Sequence, residues 1–61
     1  MSFTEYLNNV RIKEARILLE KSDMRVIDIA EAVGYSSSCH FGRVFKSVVG
    51  DSPLGYRLNK K

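Results

Sequence analysis

The apolar positions of this chain recur at helical spacing in four stretches, and no segment alternates with the period of two that a strand requires. In the first stretch Phe3, Leu7, Val10, Glu14 and Leu18 fall on one line, and Tyr6, Ala15 and Leu19 widen it. This predicts an amphipathic helix from about residue 3 to 20. Ser2, three residues ahead of Glu5, matches a capping box, with Thr4 as an alternative cap. Ser22 and Asp23 close this helix, and Asp23 stands just before a second one, about 25–33. There Val26, Ile29, Ala30 and Val33 form a one-sided stripe at i, i+3, i+4 and i+7. Gly34 follows as the left-handed residue that satisfies terminal carbonyls, and Tyr35 is expected to turn into the core.

Ser36 or Ser37 caps a third helix, about 37–48, whose buried stripe is predicted to be Phe41, Val44, Phe45 and Val48. At about 100° per residue, Cys39, Gly42, Arg43 and Lys46 lie on its opposite face, with Ser38 and His40 on the flanks. Gly50 and Asp51 end it. Ser52 then caps a short last helix with Pro53 at its favoured first position, followed by Leu54, Tyr56 and Leu58. The tail Asn59, Lys60 and Lys61 is expected to fray. The predicted fold is all-α: a small helical domain with a long first helix, a helix-turn-helix pair and a short C-terminal helix, in one domain over 1–61.

The pair at 26–46 carries the functional signal. A helix that enters the major groove of DNA needs large apolar residues on its inner face. Its outer face needs small or polar residues near its start and cations further along. Ser37, Ser38 and Cys39 are small enough to let the backbone approach base edges, and the free N–H groups of that turn suit a phosphate. Arg43 is long enough for a guanine edge or a phosphate, and Lys46 is placed for the DNA backbone. In the simplest helix-turn-helix, a small residue such as Ala30 followed by Gly34 would bury positions 40 and 43. Here those are His40 and Arg43, while Phe41 and Val44 are apolar, so the turn reads as one residue longer than the minimal form.

Charge sharpens this picture. Residues 1–31 hold five basic and six acidic side chains; residues 32–61 hold Arg43, Lys46, Arg57, Lys60 and Lys61 against Asp51 alone. A basic half beside a near-neutral half is the footprint of a nucleic-acid binder. Sixty-one residues make one small domain, which buries only about 60% of its unfolded surface and is expected to be marginally stable. Cys39 is the only cysteine, so no intrachain disulfide supports the fold, and a reducing interior is the expected setting. No apolar run approaches the roughly 18 residues of a membrane span, and no signal peptide opens the chain. These features point to a cytoplasmic protein with no membrane partner.

Taken in order, Phe3, Tyr6-Leu7, Arg11-Ile12, Ala15, Leu18-Leu19, Ile29-Ala30, Val33-Gly34-Tyr35, Phe41, Arg43, Phe45-Lys46, Gly50, Ser52-Pro53 and Tyr56-Arg57 resemble the AraC/XylS family of bacterial transcription regulators. The resemblance covers nearly the whole chain. Family members carry two such motifs joined by a long helix, and this chain resembles the linker helix with the second, C-terminal motif. It therefore implies a fragment of a larger regulator, with the first motif and any effector or dimerisation domain upstream. It implies double-stranded DNA as partner, RNA polymerase as a second partner through the parent protein, and no cofactor or small-molecule ligand for this fragment. The family's base-facing positions fall on Ser37, Ser38, Cys39, Gly42 and Arg43, and its backbone contacts near Ser36, His40 and Lys46. Ser38 and Cys39 stand where longer polar side chains are common, and Gly42 where a small polar residue is usual. Weak base reading by this motif is therefore expected.

Other readings of the same residues are weaker. Cys39 and His40 are neighbours on a helix and diverge by about 100°, and no second Cys or His completes a metal site, so neither a metal nor catalysis is assigned. Phe41 and Phe45 could stack on single-stranded bases, but their spacing with Val44 and Val48 places them in the core. Arg11, at the edge of the first helix's apolar face, is expected to pair with Asp28 or Glu31. No paired acid and base suggests an enzyme. The competing function is a helical protein–protein module that presents Cys39, Gly42, Arg43 and Lys46 to another protein, polymerase for example.

Overall fold

A computed structural model describes residues 2–60. It contains four helices and, among the described residues, no strand: α1 (Phe3–Lys21), α2 (Val26–Ala32), α3 (Ser38–Val49) and α4 (Pro53–Lys60). α1 is the spine against which the other three pack, within an envelope of 33 × 21 × 18 Å.

Local chemistry sets each boundary. Ser2 Oγ accepts the Glu5 N–H at 3.1 Å, the reach-in half of the expected capping box. At the other end, Ser22 Oγ donates to the Leu18 carbonyl and accepts from Met24 N–H, which turns the chain out of the helix. Asp23 does not cap α2. That helix starts one residue late, at Val26, with Arg25 in the capping position and no side-chain cap. α4 starts as predicted, with Ser52 Oγ accepting from Gly55 N–H at 3.1 Å. The tail differs from expectation: Asn59 lies within α4, and its amide donates to Asp51 Oδ2 at 3.0 Å, which ties the last helix to the preceding turn. Lys61, the end of the expected frayed tail, lies outside the described residues.

The buried face of α1 is one edge of the predicted one: Ala15 and Leu19 are buried and Leu18 packs against the core, joined by Ile12, which lay outside the predicted line. Ile12, Ala15 and Leu19 enter the core, whereas Phe3 (79% exposed), Tyr6 (59%) and Val10 face outward. α1 carries two apolar stripes roughly opposite each other, and the small Ala15 lets the first of them approach the other helices closely. Val48 is also exposed, while its neighbour Val49 packs against the core. In α4, Tyr56 and Pro53 are buried, and Leu54 and Leu58 are exposed.

The centre of the molecule is a column of rings. Tyr35, Phe41, Phe45 and Tyr56 contact one another in sequence with centroids 5.5–5.7 Å apart, in tilted or edge-on geometry. Phe41 and Phe45 are fully buried. Two arginines of α1 close the column. Arg11 lies over the Tyr35 ring at 5.4 Å and Arg16 over the Tyr56 ring at 5.6 Å. Arg11 is thus spent on an aromatic face and not on Asp28, which pairs with Arg25 at 3.0 Å.

Two glycines separate conformational need from mere tolerance. Gly34 has φ +104°, and a Cβ there would meet Arg11 Nε at 3.2 Å; Gly42 is helical, with open space where a Cβ would go. Gly42→Ala should therefore raise stability by roughly 0.5–1 kcal/mol, and Gly34→Ala should lower it by more than about 1 kcal/mol. Urea denaturation followed by circular dichroism checks both signs.

Candidate nucleic-acid interface

The turn before α3 aims the helix. Gly34 N–H bonds to the Glu31 carbonyl at 3.1 Å and Tyr35 N–H to the Ala30 carbonyl at 2.9 Å, the paired closure of a Schellman motif. The left-handed Gly34 reverses the chain, and Tyr35 drops into the core as predicted. Its hydroxyl donates to Asn8 Oδ1 of α1 at 2.8 Å, which anchors the turn to the spine. Burial raises the Tyr35 phenol above its ordinary value, partly opposed by Arg11. Because the folded state holds this acid neutral, its contribution to stability is intact below the unfolded phenol value and is lost as pH climbs past it.

Of the two serines offered as caps, Ser37 is the one used: its Oγ accepts the His40 N–H at 3.3 Å. α3 then runs one residue later than predicted, to Val49, where Gly50 at φ +95° ends it. Burial confirms the lengthened turn, since Phe41 is fully buried while His40 and Arg43 are exposed.

Ser36, Ser37, Ser38, Cys39, His40, Arg43 and Lys46 are all exposed, and Gly42 is half-buried beside open space. α3 gathers Cys39, Arg43 and Lys46 on the side away from the rings, with Gly42 at its margin; Ser38 shares the angular sector of Phe41 and Phe45 and is exposed because it opens the helix. Ser36 and Ser37 stand just ahead of the first turn. His40 leans back, its ring 5.6 Å from Tyr35. Together with Arg43, it lines an open cleft of about 440 Å³ between α3 and the N-terminal half of α1, where Glu5, Asn8, Asn9 and Ser47 also sit. The sequence pattern missed Asn8 and Ser47. Asn8 lies one helical turn before Ile12, so only the correct buried face of α1 would have placed it beside α3.

Not every cation of the basic half belongs to this face. Arg57 donates from Nε to the Leu19 carbonyl and from Nη2 to the Ser22 carbonyl, each at 3.1 Å, which closes the C-terminal end of α1. Arg16 donates to the Tyr56 hydroxyl, which in turn donates to Glu20; that hydrogen bond is the main reason the Arg16 guanidinium is held above its ordinary value. Arg43 and Lys46 remain as the exposed cations of α3. Among the described residues, no group of three His, Cys, Asp or Glu side chains could hold a metal ion, and no helix is long and apolar enough to cross a membrane.

Residues 1–59 match the family model of a helix-turn-helix domain. The chain belongs to the AraC/XylS family. It is similar to the Msm operon regulatory protein of Streptococcus mutans, at 37% identity over 57 residues, and to the HTH-type transcriptional activator RhaR of Yersinia pseudotuberculosis, at 39% over 57 residues. Each match takes in 93% of this chain and 20% of the relative, so the chain spans a fifth of the length of these regulators. The crystal structure of the C-terminal domain of the two-component response regulator yesN from Fusobacterium nucleatum aligns with a TM-score of 0.91 at 32% identity, over 93% of this chain and 55% of that one. The all-α fold read from periodicity is thus the fold of the family, and this AraC/XylS domain is a DNA-binding domain of transcription regulation.

Arg57 and Lys46 give opposite expectations for this fold. Arg57→Ala removes charge-assisted bonds to two helix-end carbonyls and should cost about 1–3 kcal/mol. Lys46→Ala should stay within about 0.5 kcal/mol. Thermal unfolding of the two variants measures the contrast.

Proposed function

We propose that this chain is the C-terminal half of the DNA-binding region of a longer bacterial regulator, and that α3 enters the major groove. The carrying observation is the division of α3: Phe41 and Phe45 are fully buried with Val44 packed beside them, while Cys39, Arg43 and Lys46 are exposed. Ser37, Ser38, Cys39, Gly42 and Arg43 face the bases; Ser36, His40 and Lys46 face the DNA backbone. Arg43 supplies most of the base reading, because Ser38, Cys39 and Gly42 are too short to reach far into the groove. Their shortness favours close approach of the helix, so the motif docks more strongly than it discriminates. RNA polymerase is a second partner through the parent protein, the setting is the bacterial cytoplasm, and no reaction is assigned.

Amide chemical shifts recorded during titration with a short duplex test this reading. Shifts should cluster at residues 36–46 and fade with salt. Two exposed cations on α3 correspond to a slope of log K against log salt of roughly −2. Arg43→Ala should weaken binding more than Lys61→Ala. Equal losses would reduce the interaction to bulk charge, and shifts absent even at low salt would leave the surface to a protein partner.

A further inference from the structure

The cleft between α1 and α3 continues the outer face of α3 onto a helix outside the helix-turn-helix pair. Two of the residues lining it, His40 and Arg43, are already placed at DNA, and across from them stand Asn8, Asn9 and Glu5 of α1. Asn8 is the informative one. The Tyr35 hydroxyl donates to its Oδ1 at 2.8 Å, which occupies the acceptor end of the amide. With Oδ1 turned to Tyr35, the opposite end of the amide, its NH2 group with two donors, is what the side chain has to offer the cleft it lines. Tyr35 is itself immobilised: it is buried, Arg11 lies over its ring, and the His40 ring leans against it. The amide is therefore held in place before any ligand arrives. A fixed amide donor beside a guanidinium, at the rim of a groove-binding helix, suits a phosphate oxygen, a contact that sets register without reading sequence.

We propose that the DNA-binding surface extends across this cleft onto α1, with Asn8 donating to a backbone phosphate beside Arg43 and Tyr35 acting as its positioning residue. The proposal rests on α3 entering the major groove. Glu5, at the rim of the same cleft, is the one carboxylate there and opposes the phosphate.

Fluorescence anisotropy with a labelled duplex of mixed sequence, at low salt, tests this on the whole chain, with circular dichroism confirming that each variant stays helical. Asn8→Ala should weaken binding roughly tenfold, by a similar factor on duplexes of unrelated sequence. Tyr35→Phe should weaken it in the same direction, and the double variant should be no weaker than Asn8→Ala alone. Glu5→Gln should tighten it. If Asn8→Ala, Tyr35→Phe and Glu5→Gln all bind like the wild type while Arg43→Ala loses affinity, the extension onto α1 is wrong and the groove reading of α3 stands. If Arg43→Ala also binds like the wild type, both fall. Weakening by Asn8→Ala with Tyr35→Phe at wild-type affinity overturns the positioning role of Tyr35.

Discussion

Phe41 and Phe45 sit one helical turn apart, both fully buried, with Tyr35 packed beyond one and Tyr56 beyond the other. That contact fixes the rotation of α3 about its axis. A shift of one residue would bury His40 or Gly42 and turn a ring to solvent, which forfeits roughly 1.5–3 kcal/mol per phenylalanine. In a domain this small no other core could compensate. The outer face of α3 is therefore set from within. Cys39, Arg43 and Lys46 face away from the molecule because the rings on the far side have one place to go.

The remaining polar chemistry holds this column to its frame. Arg11 and Arg16 cover its two ends, Tyr35 reaches Asn8, Tyr56 reaches Glu20, and Arg57 closes the end of α1 across which α4 lies. Three arginines of this basic chain thus serve the fold. Its formal charge of +3 overstates the field on the face proposed to meet DNA, which depends chiefly on Arg43 and Lys46. Long-range attraction of DNA is correspondingly modest, and fixed, well-placed donors count for more than total charge.

The sequence was most legible where one helical face alone was apolar. α3, its serine cap, the left-handed Gly34, the inward Tyr35 and the lengthened turn could all be read from spacing. α1 could be read only in part, because its apolar arc is wide enough to hold two stripes: Phe3, Tyr6 and Val10 stay outside, and only the edge with Ala15 and Leu19, extended by Ile12, turns inward. Periodicity locates a stripe but does not say which of two stripes meets a partner. The same ambiguity placed Val48 in the core in place of Val49. Opposite charge makes an acid the obvious partner for Arg11, yet the fold sets its guanidinium over the Tyr35 ring. Asn8 carries no motif, and its place beside α3 exists only once the correct face of α1 is turned inward.

The exposed thiol of Cys39, the only cysteine, stands on the face assigned to the groove and allows the central claim to be tested without any substitution. The rate at which it is alkylated by iodoacetamide, measured with and without a saturating duplex whose binding is followed independently, reports whether that face is covered. The account predicts strong protection at low salt that disappears as salt releases the DNA. A thiol that reacts at the same rate while the duplex is demonstrably bound would place DNA elsewhere on the molecule and contradict it.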